Sequence, residues 1–315
     1  MNAAQPYAGL SPDTVLDAVD SIGFDPDGRL LALNSFENRV YQVGLEDAGY
    51  VIAKFYRPAR WSDAAILEEH RFAQELLDAE LPVVAAIVDD GDTLFDYDGF
   101  RFALFPRKGG RAPDLEGIEV SKWLGRLLAR IHLIGARSPF EHRQRVDADT
   151  LVWTPHLAAR DSELMPDAVR DRYEDLIETA ADVIDDAFAR VQPQTLRLHG
   201  DCHPGNVLWT EAGPHFVDLD DCRSGPAVQD LWMLMTGGEA QREAVLEGYE
   251  QFRPFDRGEL DLIEPLRLMR QIHYAGWIAE RWADPAFPAA FPHVALAPWW
   301  EQHCRDIAEA LEQIG

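Results

Sequence analysis

The chain has few cysteines, few basic residues and no long apolar run. Its three cysteines, Cys202, Cys222 and Cys304, form neither a paired metal spacing nor a disulfide framework. A disulfide-stapled scaffold is thereby excluded, and a reducing compartment is expected. The longest uncharged apolar stretch, Leu81 to Val88, falls far short of the roughly 20 residues a bilayer-spanning helix needs. Met1 to Leu10 lacks a basic segment followed by an apolar run, so no secretory signal is expected and the location reads as cytoplasmic. Lys and Arg total 29 against 55 Asp and Glu, a formal net charge of −26. Such a surface repels nucleic-acid backbones and anionic lipid. Neither nucleic acid nor a membrane is an expected partner, and any phosphate-bearing ligand must meet a local cation or a bound metal. Internal repeats and low-complexity tracts are also missing.

What is present is an ordinary globular composition, 47% hydrophobic and 27% charged over 315 residues, enough for one large domain or two lobes around a cleft. The expected fold class is α+β. Residues 1–105 read as a small antiparallel-sheet lobe with a helix, 106–110 as a hinge and 111–315 as a larger, mainly helical lobe. Ser11-Pro12-Asp13 starts a helix, with Ser11 as N-cap and Pro12 in the first turn. Strands are expected at Leu30 to Leu33, Arg39 to Val43, Tyr50 to Tyr56, Val83 to Val88 and Phe100 to Phe105, with a helix from about Ser62 to Ala79. Pro106 ends the last strand and Gly109-Gly110 opens the linker. Beyond it, Val120, Leu124, Leu127, Leu128, Ile131 and Ile134 recur at helical spacing, and a further helix runs from roughly Asp167 to Val191.

The chemistry concentrates in Leu198-His199-Gly200-Asp201-Cys202-His203-Pro204-Gly205-Asn206. Asp201 and Asn206 have the Asp-x-x-x-x-Asn spacing of a kinase catalytic loop, in which the Asp takes the acceptor hydroxyl proton and the Asn binds Mg²⁺. A hairpin is expected next: Val207-Leu208-Trp209 and His215-Phe216-Val217 flank Thr210 to Pro214. It folds Asp218, first of the acids in Asp218-Leu219-Asp220-Asp221, back beside Asn206. The result is a hard, oxygen-only site suited to Mg²⁺ on ATP phosphates. In the small lobe Lys54 shares a strand face with Ile52 and Tyr56, an unusual setting for a solvated charge. On the helix that follows, Ile66, Phe72, Ala73, Leu76 and Leu77 form the apolar stripe. Glu69 falls near its centre and Glu68 well to one side. A carboxylate on a buried face needs a cation, which Lys54 supplies. The turn Asn34-Ser35-Phe36-Glu37-Asn38 can offer backbone N–H groups to an anion. His199 and His203 flank Asp201 without a third strong ligand at zinc spacing. For the late aromatics Tyr274, Trp277, Trp282, Trp299 and Trp300, two readings stay open: core packing, or the lining of an acceptor pocket or docking groove.

Taken together, these residues resemble the aminoglycoside phosphotransferase/choline kinase family of the kinase-like fold, whose His-Gly-Asp-x-His-x-x-Asn loop is matched residue for residue at 199–206. Leu33 to Tyr41, Lys54 to Pro58, Ile66 to His70, Val217 to Leu234 and Arg281 to Pro285 extend the likeness over nearly the whole chain, towards the bacterial stress-response serine/threonine protein kinases of that superfamily. The resemblance implies a bilobal protein-kinase-like fold, ATP and Mg²⁺ as cofactors, a protein substrate, and a monomer. It implies Asp201 as proton acceptor, Asn206 and Asp218 as Mg²⁺ ligands, Ser35 beside ATP, Lys54 on the α- and β-phosphates with Glu69 as partner, and Phe105 in the hinge against adenine. Asp230 would buttress the catalytic loop. A small-molecule acceptor, an aminoglycoside, choline or amino alcohol, is the alternative. The chain departs from ordinary protein kinases in having no Gly-x-Gly-x-x-Gly loop before Lys54, Asp218-Leu219-Asp220 for Asp-Phe-Gly, and no Ala-Pro-Glu. Activity without activation-loop phosphorylation is therefore expected.

Overall fold

The computed structural model describes residues 5–47 and 49–314. Helix α1 (Pro12–Asp20) starts as its cap dictates, with Ser11 Oγ accepting from the Thr14 N–H at 3.1 Å. Strands β1 (Pro26–Leu33), β2 (Arg39–Leu45) and β3 (Gly49–Phe55) follow, then α2 (Asp63–Asp78), β4 (Phe95–Tyr97) and β5 (Phe100–Pro106). The five strands form one antiparallel sheet in the order β1-β2-β3-β5-β4. Period-2 alternation gives β3 two different faces. Val51, Ala53 and Phe55 are buried with Val15, Ala18 and Val19 of α1 and with Phe102 and Leu104 of β5. Ile52 and Lys54 face the opposite way, into a cavity shared with α2.

Two details depart from the sequence reading. Val83 to Val88 is not a strand: Val83 makes one isolated bridge, to Phe216, and nothing more. Its N–H groups divide between two partners, Val84 donating to Phe216 O at 2.9 Å and Ile87 to Leu104 O at 2.7 Å. A segment that straps both halves of the molecule cannot run alongside one strand. On α2, Leu77 is 44% exposed while Glu68 is buried. The Glu68 carboxylate accepts from the backbone N–H groups of Glu141, His142 and Arg143 at 2.6, 2.8 and 3.0 Å. The 140–143 segment covers a second side of the helix, so the buried arc is wider and rotated from the apolar stripe.

The remainder is mostly helical: α3 (Ile118–Gly135), a π turn at Asp149–Trp153, α4 (Thr154–Arg160), α5 (Asp167–Val191), α6 (Val228–Leu231), α7 (Glu239–Glu250), α8 (Ile263–Glu280), α9 (Ala286–Ala290) and α10 (Ala297–Ile314). Four short strands interrupt the series between α5 and α6. β6 (Leu196–Leu198) pairs with β9 (Arg223–Gly225), and β7 (Val207–Thr210) with β8 (Gly213–Phe216). α3 and α7 touch backbone to backbone. A Cβ on Gly125 would stand 2.1 Å from Val245 O, and one on Gly248 2.1 Å from Lys122 O, so only glycine fits either position. No helix among the described residues is long and apolar enough to cross a membrane.

His70 on α2 links Tyr56, just past β3, to Thr93, just before β4. Its Nε2 shares a hydrogen bond with Tyr56 Oη at 2.7 Å and its Nδ1 one with Thr93 Oγ1 at 2.8 Å. Burial, reinforced by the positive charges of Lys54 and Arg143, holds the imidazole down to about 3. A depressed imidazole stabilises the fold fully above the unfolded value of about 6.5. That contribution is lost as pH falls towards about 3, because the unfolded chain binds the proton first. The slope is about 1.4 kcal/mol per pH unit. Urea unfolding of His70→Gln between pH 6 and 4 is expected to show a slope smaller than the parent's by about that amount. Parallel pH profiles would remove His70 from this role.

Candidate active site

The loop before β7 is positioned by one buried acid. Asp230, fully buried on α6, accepts from the backbone N–H of His199 at 2.8 Å through Oδ2 and of Gly200 at 2.8 Å through Oδ1. His132 Nε2 donates to the same Oδ2 at 3.1 Å, and its Nδ1 accepts from Tyr249 Oη at 2.8 Å. Burial pushes the Asp230 carboxyl up, yet these donors, His132 foremost, leave it below the ordinary range. Gly200 has φ +87°, and a Cβ there would meet Asp221 O at 2.0 Å, so the chain passes between α6 and the acidic turn only as glycine. His199 Nε2 donates to Val217 O at 2.9 Å, and the Val217 N–H donates to Asn206 O at 3.0 Å. These bonds bring the end of the β7–β8 hairpin against the loop. Asp218 then turns the chain, in left-handed backbone at φ 58°, a conformation more accessible to Asp than to most residues.

Two cavities meet here. The smaller, about 420 Å³, is lined by Ser35, Lys54, Glu69, Phe105, Asn206 and Asp218 among others. The larger, about 880 Å³, holds Asp201 and His203 together with residues of α8 and α10. Phe36, Glu37 and Trp277 border both. Six of the seven residues singled out in the sequence thus share one cavity, and Asp201 opens onto its neighbour. The Asp-x-x-x-x-Asn turn does not aim both side chains at one point: Asn206 Nδ2 donates to the backbone O of Asp201 at 3.0 Å, while the Asp201 carboxylate faces Arg270, Oδ1 to Nη1 at 2.6 Å, and His203, Oδ2 to Nε2 at 3.6 Å.

Lys54 is the cation of the smaller cavity. Its Nζ lies 3.8 Å from Glu69 Oε1, 3.2 Å from Asp218 Oδ1 and 2.9 Å from Asp220 Oδ1. Burial alone would push the ammonium down, but Asp220, Glu69 and Asp218 outweigh it and hold it well above its ordinary value. Burial raises Glu69 to about 7 against the pull of Lys54. The Lys54–Glu69 pair is the one expected from the sequence. Asp220 is buried and engaged by Lys54 and Arg60, and these two cations bring it down to about 2 in spite of burial. Asp218, by contrast, has its side chain 56% exposed.

Asn206 and Asp218 are hard oxygen donors on one cavity wall, with the Asp218 carboxylate open to a ligand. They suit a divalent ion that takes its remaining ligands from phosphate oxygens and water. Among the described residues no three His, Cys, Asp or Glu side chains converge to hold a metal by themselves.

The expected Asn34–Asn38 turn is the lining of the smaller cavity, and what fixes it was not read from the sequence. The Glu37 carboxylate meets Arg57 at 3.1 Å, Arg60 at 3.5 Å and Arg281 at 2.7 Å, and accepts from Trp277 Nε1 at 2.7 Å. Arg57 continues to Asp284 at 2.7 Å, and the Phe36 ring packs tilted against Phe291 with centroids 5.1 Å apart. The late aromatics divide: Trp300 is fully buried core, while Tyr274, Trp277 and Trp299 line the larger cavity.

A five-stranded sheet over a helical body, with a lysine–carboxylate cluster in the cleft between them, defines a bilobal phosphotransferase of the kinase-like class. The phosphotransferase enzyme family model matches residues 29–263, and the chain belongs to that family. Stress response kinase A of Escherichia coli K12 is 43% identical over 320 residues, covering 99% of this chain and 95% of that protein. A Salmonella typhimurium protein called serine/threonine protein kinase RdoA is 41% identical over 307 residues, 96% of this chain and 93% of that one. The chain is a kinase of this family. Among solved structures, a microcompartment-associated aminopropanol kinase has the same fold, with TM-score 0.74 at 18% identity over 97% of this chain and 99% of that one. So does an amicoumacin kinase in complex with AMP-PNP, Ca²⁺ and Ami, with TM-score 0.69 at 17% identity over 90% and 91%.

Proposed function

We propose that this chain is a cytoplasmic serine/threonine protein kinase of the bacterial stress response. It acts as a monomer and transfers the γ-phosphoryl group of ATP to a protein hydroxyl with Mg²⁺ as the metal. The observation that carries the reading is the arrangement of Lys54, Glu69, Asn206 and Asp218 in one cavity with Asp201 facing the adjoining one. The phosphates occupy the smaller cavity, near Lys54 Nζ and the Ser35 turn, with adenine towards Phe105. Mg²⁺ held by Asn206 and Asp218 would neutralise phosphate charge there. The acceptor enters the larger cavity and sets its hydroxyl beside Asp201. Its oxygen forms a bond to the γ-phosphorus as the bond to the β,γ-bridging oxygen breaks. ADP leaves, and the hydroxyl proton passes to Asp201. The protein-acceptor assignment is supported by the full-length likeness to proteins named stress response kinase A and serine/threonine protein kinase RdoA.

The test is transfer from γ-labelled ATP to a panel of Ser/Thr proteins beside choline, aminopropanol and an aminoglycoside. Labelled protein with Mg²⁺, and none of the small alcohols, is expected; efficient phosphorylation of an amino alcohol alone would overturn the assignment. Because the Asp218 carboxylate is exposed, Asp218→Ala is expected to cost only about 1–2 kcal/mol of stability, from alanine in left-handed backbone. It should weaken binding of Mg²⁺ with ATP by more than about tenfold, read by calorimetry, and unaltered affinity would remove it from the metal.

A further inference from the structure

The larger cavity is not the acidic pocket that a net charge of −26 would lead one to expect. Arg267, Arg270, Tyr274 and Trp277 all line it from α8, at the i, i+3, i+7 and i+10 spacing that forms one helical stripe. The acids on its walls are occupied. Asp221 lies between Arg60 at 2.8 Å and Arg223 at 2.9 Å, Glu37 is held by Arg57, Arg60 and Arg281, and Asp201 faces Arg270. Asp306 on α10 accepts from Gln302 at 2.6 Å. The other two arginines of the cavity, Arg60 and Arg223, are engaged by Asp220 and Asp221 with side chains only 13% and 8% exposed.

Arg267 and Arg270 are different. Their side chains are 47% and 49% exposed. Among the described residues the ion pair of Arg267 is with Glu264 of its own helix, at 2.6 Å, and its guanidinium lies over the Trp232 ring 5.6 Å from the centroid; an exposed ion pair of this kind holds it weakly. Arg270 reaches Asp201 itself. An anion bound by these two guanidinium groups would therefore sit beside the carboxylate that faces the acceptor hydroxyl.

Resting on the protein-kinase reading, we propose that the acceptor segment is acidic. Arg267 and Arg270 bind carboxylate side chains lying within about three residues of the phosphorylated Ser or Thr, and the aromatic wall of Tyr274, Trp277, Phe291 and Trp299 packs the rest of the segment. The spacing is consistent: the two arginines stand three residues apart on the helix, about 4.5 Å along the axis, within the reach of two extended residues. Guanidinium groups bind carboxylates in paired hydrogen bonds. A cationic acceptor such as an amino alcohol would instead bring its ammonium against them, the arrangement by which like charge rejects a wrong partner.

The full chain is assayed with γ-labelled ATP and three peptides of equal length, each with a central Ser, flanked by Asp/Glu, by Ala or by Lys/Arg. The acidic peptide is expected to exceed the basic one in kcat/KM by more than about tenfold, and the margin should shrink as salt is raised. Arg267→Gln is expected to reduce that ratio, and Arg267→Glu to bring it to one or invert it. Equal rates on the three peptides, a basic preference, or an unchanged ratio in both variants would overturn the inference while leaving a protein kinase in place. Labelling of aminopropanol with no labelling of any peptide would overturn the protein-kinase reading and this inference together.

Discussion

Replacing Asp201 by alanine is expected to lower the phosphotransfer rate by roughly 10²–10⁴ while the protein stays folded. The rate effect follows from position. Asp201 is the carboxylate that opens onto the larger cavity, the proposed acceptor site, with Oδ1 against Arg270 at 2.6 Å and Oδ2 3.6 Å from His203. That leaves one oxygen able to take a proton from an incoming hydroxyl. Stability should change little, because the Asp201–Arg270 pair is partly exposed, and such pairs contribute about 1 kcal/mol or less. The nucleotide is expected to bind as before, since the smaller cavity does not include Asp201. Single-turnover kinetics with saturating nucleotide separate these effects. Turnover near that of the parent would take Asp201 out of the chemistry, and loss of nucleotide affinity would place it in binding instead.

What could be read from the sequence was local. Ser11-Pro12 starts α1, the pattern from Val120 to Ile134 lies within α3, and a hairpin follows Asn206 as expected, with a tighter turn than the expected Thr210–Pro214 loop because Thr210 pairs with Gly213 and Trp209 with Pro214. Each follows from neighbours a few residues apart. The Lys54–Glu69 pair was legible because two amphipathic elements each presented one charge on an apolar face. The ties across the cleft were not. Glu37, Arg57, Arg281 and Asp284 come together from opposite ends of the chain, and charges that distant carry no shared periodicity. Asp220 looks like the middle of a solvated acidic turn. The left-handed backbone at Asp218 and the 3₁₀ turn over Leu219–Asp221 place it instead in the interior, between Lys54 and Arg60. The strap at Val83 has strand composition without strand pairing, because its partners lie on two different sheets. Arg270 gave no signal at all: one arginine on a helix of mixed polarity is ordinary until the fold sets it against Asp201.

Asp230→Ala is expected to have the largest effect on stability, about 3–5 kcal/mol. The side chain is wholly buried and satisfies three donors, the N–H groups of His199 and Gly200 and Nε2 of His132. Removing it strands three buried polar groups at once, each costing about 1–3 kcal/mol when left unpaired. Asp230→Asn keeps the volume but turns an amide N–H₂ towards groups that are themselves donors, so it should recover only part of the loss. Because the same two backbone N–H groups set the path of the chain into Asp201, turnover should fall in both variants. Asp218→Ala provides the contrast: an exposed carboxylate in the adjacent turn whose loss should affect binding and lower the urea midpoint only by the cost of alanine in left-handed backbone, about 1–2 kcal/mol. A stable, active Asp230→Ala protein would mean that the remaining ties, Gln229 Nε2 to Gly200 O at 2.9 Å and His199 Nε2 to Val217 O at 2.9 Å, hold the loop without it. Those ties anchor a carbonyl and a ring. The N–H groups that Asp230 alone engages would still be unpaired in the core, which is why stability, more than rate, is the measurement on which this residue's role turns.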